Sequence, residues 1–261
     1  MAEGMKDRWA LVLGVSSGFG AAAAVALAGE GFHVAGVHLD RRSTMAGAVR
    51  VEDEIRRQGR EALFFNLNAA DPGRRSEVIG TLARRPADIR LMLHSLAFGT
   101  LKPFLAEESA SRIRPADLNM TLEVMAHSLV YWTQELRDAG LLTRGAQIYA
   151  MTSAGARRVW PTYGAVSAAK AALEAHVRQL AVELAPEGIA VNALQAGVTD
   201  TLAARRIPGS DAMLAAARAA NPGGRLTEPE DIASVLVALS RSASARMTGN
   251  IIRVDGGEDL V

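Results

Sequence analysis

Tyr163 and Lys170 stand seven residues apart in the stretch Trp160-Pro-Thr-Tyr163-Gly-Ala-Val166-Ser-Ala-Ala-Lys170. Seven residues is close to two helical turns, so on a helix over Pro161–Leu184 both side chains project from one face. A phenol beside an ammonium can present a proton donor to an oxygen on which negative charge develops. Both residue types are scarce: the tyrosines are Tyr131, Tyr149 and Tyr163, and the lysines Lys6, Lys102 and Lys170, nearly all other positive charge being arginine. Ser153 adds a hydroxyl that touches a substrate or caps a turn. The other constellation is Gly14-Val-Ser16-Ser17-Gly18-Phe19-Gly20. Gly14 allows a sharp turn, Gly18 lets backbone approach a pyrophosphate, and Gly20 lets a helix pack closely on a strand. The N–H groups opening that helix then meet the phosphates.

Elements must place these residues at one edge of a sheet. Short β-branched runs predict strands at Trp9–Leu13, Val34–Leu39, Ala62–Asn66, Leu91–His94, Gln147–Met151, Ile189–Leu194 and Asn250–Val254. Between them, Ala-rich stretches predict helices at Gly20–Glu30, Thr44–Gln58, Pro72–Arg85, Asp117–Ala139, Pro161–Leu184 and Pro229–Ser240. This alternation implies one α/β domain over 1–261. Its core is a Rossmann-type, doubly wound parallel sheet of about seven strands with helices on both faces. Ligands bind such a sheet outside the carboxyl ends of its strands, where all of these residues fall.

The chain has 261 residues and a net charge of +1, from 29 basic and 28 acidic residues, so nothing points to nucleic acid. It has no cysteine, which excludes disulfides, thiolate metal sites and cysteine nucleophiles. No metal site is expected. Met1–Trp9 has no apolar core of a leader, and no apolar run reaches membrane-spanning length, so a cytoplasmic protein without membrane contact is expected.

The Gly-x3-Gly-x-Gly spacing, with His94-Ser-Leu-Ala97 after strand four, Ser153, Lys170, Val191-Asn-Ala-Leu-Gln-Ala-Gly197 and Val254-Asp-Gly-Gly257 in order, resembles the short-chain dehydrogenase/reductase family. The resemblance covers about residues 8 to 260. That family ordinarily carries Tyr four residues before Lys; here that position is Val166. Tyr163, one turn earlier, gives the Tyr-x6-Lys spacing that resembles the enoyl-acyl-carrier-protein reductases of fatty-acid synthesis, at their FabI/FabL-like end. His94-Ser-Leu-Ala-Phe98 and Ala196-Gly197-Val-Thr-Asp-Thr201 are similar to theirs too.

This resemblance implies reduction of the C2=C3 bond of an enoyl thioester, linked to acyl carrier protein or CoA, by hydride from NAD(P)H. Charge would develop on the thioester oxygen, farther from the hydride-accepting carbon than a ketone oxygen, which suits a donor displaced by a turn. Tyr163 would stabilise that enolate, Lys170 would hold the nicotinamide ribose, and Ser153 would complete the catalytic set. Glu123 would stand where an ordinary relay has Asn. Gly14, Ser16, Ser17, Gly18, Phe19, Gly20, Ser95, Leu96, Ala97, Lys170, Gly197, Val198, Thr199 and Thr201 would line the cofactor, with Asn68 at the adenine. His38 occupies the counted selector position at the end of strand two, and Arg41 and Arg42 suit a 2′-phosphate. NADPH is therefore favoured, with NADH following if Asp40 faces the ribose instead. Phe98, Trp160, Tyr163, Leu202 and Met213 would meet the acyl chain, the last two within a lid over 201–225. Arg205 and Arg206 are solvated charges or a greeting for an acidic carrier. The family's long helices pair into homotetramers. Two other readings stay open: a 3-ketoacyl or alcohol oxidoreductase, and a catalytically weak NAD(P)-binding regulator.

Overall fold

The computed structural model describes residues 7–242 and 244–261. Lys6, and Met1–Lys6 of the segment read for a leader, lie outside the described residues. Seven strands form one sheet in the order β3-β2-β1-β4-β5-β6-β7, every pair parallel. They are β1 (Asp7–Leu13), β2 (His33–His38), β3 (Ala62–Asn66), β4 (Ala87–His94), β5 (Gln147–Ser153), β6 (Ala190–Ala196) and β7 (Ile251–Val254). The helices are α1 (Gly18–Gly29), α2 (Met45–Arg57), α3 (Pro72–Ala83), α4 (Pro115–Leu122), α5 (Ser128–Asp138), α6 (Gly164–Leu184), α7 (Ser210–Ala220) and α8 (Pro229–Ser240).

Alternation along the strands divides the core in two. Trp9, Leu11 and Leu13 of β1 join Leu82 of α3, Trp132 of α5 and Leu173 of α6 on one face. Ala10 and Val12 join Leu27 of α1, Ile55 of α2 and Leu236 of α8 on the other. Winding reverses between β1 and β4, where Ser95 N donates to Leu13 O at 2.8 Å. That crevice is where a sheet of this order takes its ligand. Among the described residues, no helix is long and apolar enough to cross a membrane, and no three His, Asp or Glu side chains gather as metal ligands.

Two expected elements differ from those found. The helix over Asp117–Ala139 is broken by a π-helical turn, Glu123–His127, between α4 and α5. The turn packs on α6, burying Val124 and Met125 against Val166 and Ala169. The helix over Pro161–Leu184 begins only at Gly164, with Tyr163 as its N-terminal boundary residue. Tyr163 is thus the boundary residue of α6, with αR backbone and its carbonyl accepting from Ser167 N at 2.9 Å, two turns before Lys170.

Candidate active site

The Gly-rich segment is shaped by what its glycines lack. Gly14 has φ +93, and a Cβ there would stand 2.5 Å from Ser95 O. A Cβ on Gly20 would collide with Gly14 O, so α1 can pack on β1 only with glycine at that position. α1 starts at Gly18 rather than Gly20 and carries no acidic residue in its first turn. Its free N–H groups and positive dipole end are therefore not offset by a carboxylate of its own first turn. A Cβ on Gly18 would lie 3.5 Å from the Thr201 methyl, which places Thr201 across the crevice from the cradle. Ser17 is exposed, Ser16 and Phe19 half-buried. Ser95 and Leu96 line the crevice half-buried, with Ala97 exposed beyond them. This cradle, with a bare helix terminus above it, fits the pyrophosphate of a dinucleotide.

At the end of β2 the arrangement differs from the one expected. The His38 ring is buried, and its Nδ1 meets Asp40 Oδ2 at 2.9 Å. Asp40 is further fixed by Asn66, whose Oδ1 accepts from Asp40 N at 2.9 Å while its Nδ2 donates to Asp40 O at 3.0 Å. Burial pushes the Asp40 carboxyl up, but the Thr44 and Ser16 hydroxyls and the His38 ring together hold it below the ordinary value. An ionised carboxylate therefore sits against the Gly-rich loop, and His38 acts behind it. Arg41 and Arg42 are exposed. Asn68 is exposed and accepts from Ala70 N at 3.0 Å, bordering an open groove of about 530 Å³ along β3 and α3.

Lys170 lies beside the ends of β5 and β4, against Met151 and His94, and Tyr163 lies beside Ser153, the last residue of β5. Lys170, 6% exposed, donates from Nζ to Met151 O at 2.6 Å. Burial lowers its pKa to about 8, opposed by Glu174 one turn along α6. Glu174 is itself buried and accepts from Thr152 Oγ1 at 2.7 Å. His94 is fully buried; Ser128 Oγ gives its proton to Val124 O, so His94 Nε2 donates to Ser128 at 2.8 Å. Burial and the Lys170 charge hold His94 down to about 3, so it is neutral. Tyr163 is raised by burial, with the Ser153 hydroxyl acting against that shift. A Cβ on Gly155 would touch both the Tyr163 ring at 2.7 Å and Ser153 Oγ at 3.2 Å, so the two side chains share one nook.

Two features set this nook apart. Seven buried side-chain polar atoms lack a partner among the described residues, and three of them are His94 Nδ1, on the ring that the Lys170 charge acts on, Ser153 Oγ, beside the Tyr163 ring, and Thr162 Oγ1, on the residue before Tyr163. Thr162, just before Tyr163, is the one described non-glycine residue with positive φ, at 65°. A β-branched residue is costly there, and such strain gathers at functional sites. Val166 is buried against Met125 and Ala169, and its Cγ2 would stand 2.8 Å from a Cβ on Gly99, so the position four residues before Lys170 is taken up by apolar packing.

The remaining expected contacts spread along the rim. Gly197 and the buried Thr199, whose Oγ1 donates to Gly197 O at 3.0 Å, end β6. Val198, expected with Thr199 to offer backbone to the cofactor, has its N–H donating to the Glu258 carboxylate. Thr201 Oγ1 accepts from Ala204 N at 3.1 Å. Over 201–225, α7 buries Leu214 and Ala217 against Leu226 and Val198, while Met213 is half-buried and Leu202 exposed. Trp160 Nε1 donates to Pro208 O at 3.4 Å, tying this segment to the loop before Tyr163. Phe98 is 54% exposed at the crevice mouth. Arg205 is a solvated charge, exposed and paired at the surface with Asp200 and Asp211. Glu123 lies in the π turn. Sequence reasoning missed Glu174, Thr162 and Glu258. Only Glu174 had a local signal, an acid four residues beyond a buried lysine.

Comparison with known proteins identifies the family. The family described as Enoyl-(Acyl carrier protein) reductase matches residues 14–258. The NADH enoyl-[acyl-carrier-protein] reductase FabI of Neisseria meningitidis is 30% identical over 214 residues, covering 81% of each chain. The Escherichia coli FabI is 36% identical over 135 residues, and that match spans about half of each protein, 52% of this chain and 51% of the relative. The crystal structure of the Aquifex aeolicus enoyl-[acyl-carrier-protein] reductase (NADH) superposes with a TM-score of 0.84 at 25% identity, covering 98% of this chain and 97% of that one. The chain belongs to the enoyl-(acyl carrier protein) reductase family, an oxidoreductase family on the short-chain dehydrogenase/reductase fold.

Proposed function

We propose that the protein reduces the C2=C3 bond of an enoyl thioester, with NADH as the hydride donor. The observation that carries this reading is the Tyr163 hydroxyl buried beside Ser153 at the start of α6, with position 166 closed by a packed valine. A reduced nicotinamide, when bound, supplies the hydride to C3. Tyr163 donates a hydrogen bond to the thioester oxygen as charge moves onto it. Ser153 lies beside the phenol and holds the substrate or the Tyr163 hydroxyl in place. Lys170, fixed by Met151 O, keeps two N–H donors for the nicotinamide ribose and holds the local field positive. Gly14, Ser16, Gly18 and Gly20 cradle the pyrophosphate, and Ser95, Leu96, Ala97, Gly197, Val198, Thr199 and Thr201 line the cofactor's other end. Phe98, Trp160, Leu202 and Met213 border the acyl path, under a lid formed by 201–225.

NADH is preferred to the NADPH that the Arg41–Arg42 pair suggested. The Asp40 carboxylate stands against the Gly-rich loop, where it accepts from ribose hydroxyls and repels a 2′-phosphate. The relatives named above carry NADH in their names. The acyl group arrives on acyl carrier protein or on CoA, and the family's homotetramer is the expected assembly.

Absorbance of NADH and NADPH is followed with an enoyl thioester, then with a 3-ketoacyl thioester, each on carrier protein and on CoA. Oxidation of NADH with the enoyl substrate is expected. Oxidation only with the ketoacyl substrate rejects the reading in favour of ketoreduction, and silence with both leaves a binding protein without turnover. A preference for NADPH removes the role given to Asp40.

A further inference from the structure

We propose that Glu258 and Asp259, on the turn after β7, are positioning residues: the first holds the loop that receives the nicotinamide carboxamide, the second the loop that leads into Tyr163. The inference rests on the cofactor reading above.

Gly256 and Gly257, with φ 62 and 87, reverse the chain after β7 and bring both carboxylates back over the ends of β5 and β6. Glu258 is 6% exposed. Its two oxygens accept from Val198 N at 3.1 and 3.2 Å. It enters a nook that only glycine at 197 leaves open, since a Cβ there would lie 2.9 Å from Glu258 Oε2. Burial pushes the Glu258 carboxyl above the ordinary value, and Asp255 adds to the shift. A carboxylate in such a place is unfavourable for folding unless its partner matters, and an apolar side chain would fill the space without that penalty. What it holds is the peptide between Gly197 and Thr199, whose Thr199 side chain is tied back to Gly197 O.

Asp259 faces the other loop. Its Oδ2 accepts from Arg157 Nη2 at 2.8 Å and Gln195 Nε2 at 3.1 Å, and its Oδ1 pairs with Arg158 Nε at 3.0 Å. Arg157 also donates to Gln195 Oε1 at 2.7 Å. Arg157 and Arg158 lie between Ser153 and Tyr163, in the segment that sets both hydroxyls. One turn therefore braces the two loops between which a nicotinamide and a thioester would lie. Glu258 therefore acts through the backbone N–H of Val198, and Asp259 through the side chains of Arg157, Arg158 and Gln195.

The test compares dissociation constants for NADH and for ADP-ribose, which lacks the nicotinamide, in the full-length protein. Glu258→Met keeps the volume and removes the acceptor; it should weaken NADH about tenfold and leave ADP-ribose unchanged. Glu258→Gln, which keeps an oxygen for Val198 N–H, should recover NADH affinity. Asp259→Ala should leave both constants unchanged and lower kcat several-fold. Equal losses for NADH and ADP-ribose in Glu258→Met would show a merely structural role and overturn the proposal, as would no loss at all. If Glu258→Met fails to fold, Glu258→Gln decides, because a tenfold NADH loss there rejects the acceptor role. Wild-type protein that binds neither ligand rejects the cofactor reading, and this proposal with it. Binding of ADP-ribose by wild type keeps the two failures apart.

Discussion

Gly14, Gly18 and Gly20 shape the proposed phosphate end of the crevice through missing side chains, whereas the proposed nicotinamide end is shaped by side chains, Tyr163 beside Ser153 and Lys170 held by Met151 O. The first end has a relaxed backbone, because glycine takes positive φ at little steric cost. The second end carries Thr162 at φ 65, a lysine buried beside a neutral histidine, and three buried polar atoms without partners. On the proposed function, binding geometry here is compatible with a stable fold and catalytic geometry is maintained against it. A defect at the first end should therefore cost binding and stability together, and a defect at the second should cost turnover alone.

The sharpest version of that contrast is the pair Tyr163→Phe and Gly20→Ala. Tyr163→Phe should lower kcat with an enoyl thioester by about 10²–10³-fold, the usual loss when one oxyanion donor is removed. NADH affinity and melting temperature should stay near wild type, since the ring still packs beside Gly155. Gly20→Ala should instead destabilise the fold by about 1–3 kcal/mol and weaken NADH and ADP-ribose alike, because its methyl meets the Gly14 carbonyl. Turnover per bound cofactor should survive. Steady-state kinetics, cofactor titration and thermal unfolding separate the two patterns. A Tyr163→Phe enzyme with normal kcat breaks the comparison at its catalytic end.

The same contrast governs what could be read before the structure. The Gly14–Gly20 cradle is a local requirement, so residue type and spacing suffice, and β3 and α8 fall at the predicted Ala62–Asn66 and Pro229–Ser240. Tyr163 and Lys170 were legible as a pair because tyrosine and lysine are rare in this chain. Their placement was not, since helical periodicity does not reveal that α6 starts after Tyr163. Counting along β2 pointed to His38, whereas its ring is buried and Asp40 takes the rim. The π turn at Glu123–His127 leaves no sequence mark, because it answers to packing on α6. Glu258 is sixty residues from the Val198 N–H it holds, and no local pattern announces such a contact.

A smaller effect follows from the buried lysine. Its ammonium has a pKa near 8 against an ordinary 10.5, because burial disfavours the charge. As pH rises through about 8 the ammonium loses its proton, so turnover that needs the cation should fall above that pH. His94, at about 3, stays neutral throughout and adds nothing to this limb. Stability should move the other way. Between about 8 and 10.5 the unfolded chain binds more protons at this site than the folded one, so the group's contribution to stability rises with pH. Rates measured from pH 6 to 10, beside thermal unfolding at each pH, should show activity declining while this contribution grows. Glu174→Gln, which removes the opposing carboxylate, should move the activity midpoint lower. A midpoint that stays in place removes Glu174 from the setting of the lysine.

The smallest predicted effect bears most directly on the cost of the catalytic end. Thr162→Gly relieves a β-branched residue of positive φ and deletes a buried hydroxyl without a partner. Each of these costs the native state about 1–3 kcal/mol. Glycine returns about 1 kcal/mol of that through the greater freedom of the unfolded chain. The balance favours the variant by at least about 1 kcal/mol, or a melting temperature at least about 2–4 °C higher for a chain of this size. The same freedom loosens the turn that delivers Tyr163 to the start of α6, so kcat should fall several-fold while NADH affinity holds. Higher stability with lower turnover would mean that the strain at Thr162 serves the phenol's position. Higher stability with unchanged turnover would leave the strain incidental, and lower stability would show that neighbouring contacts already offset it.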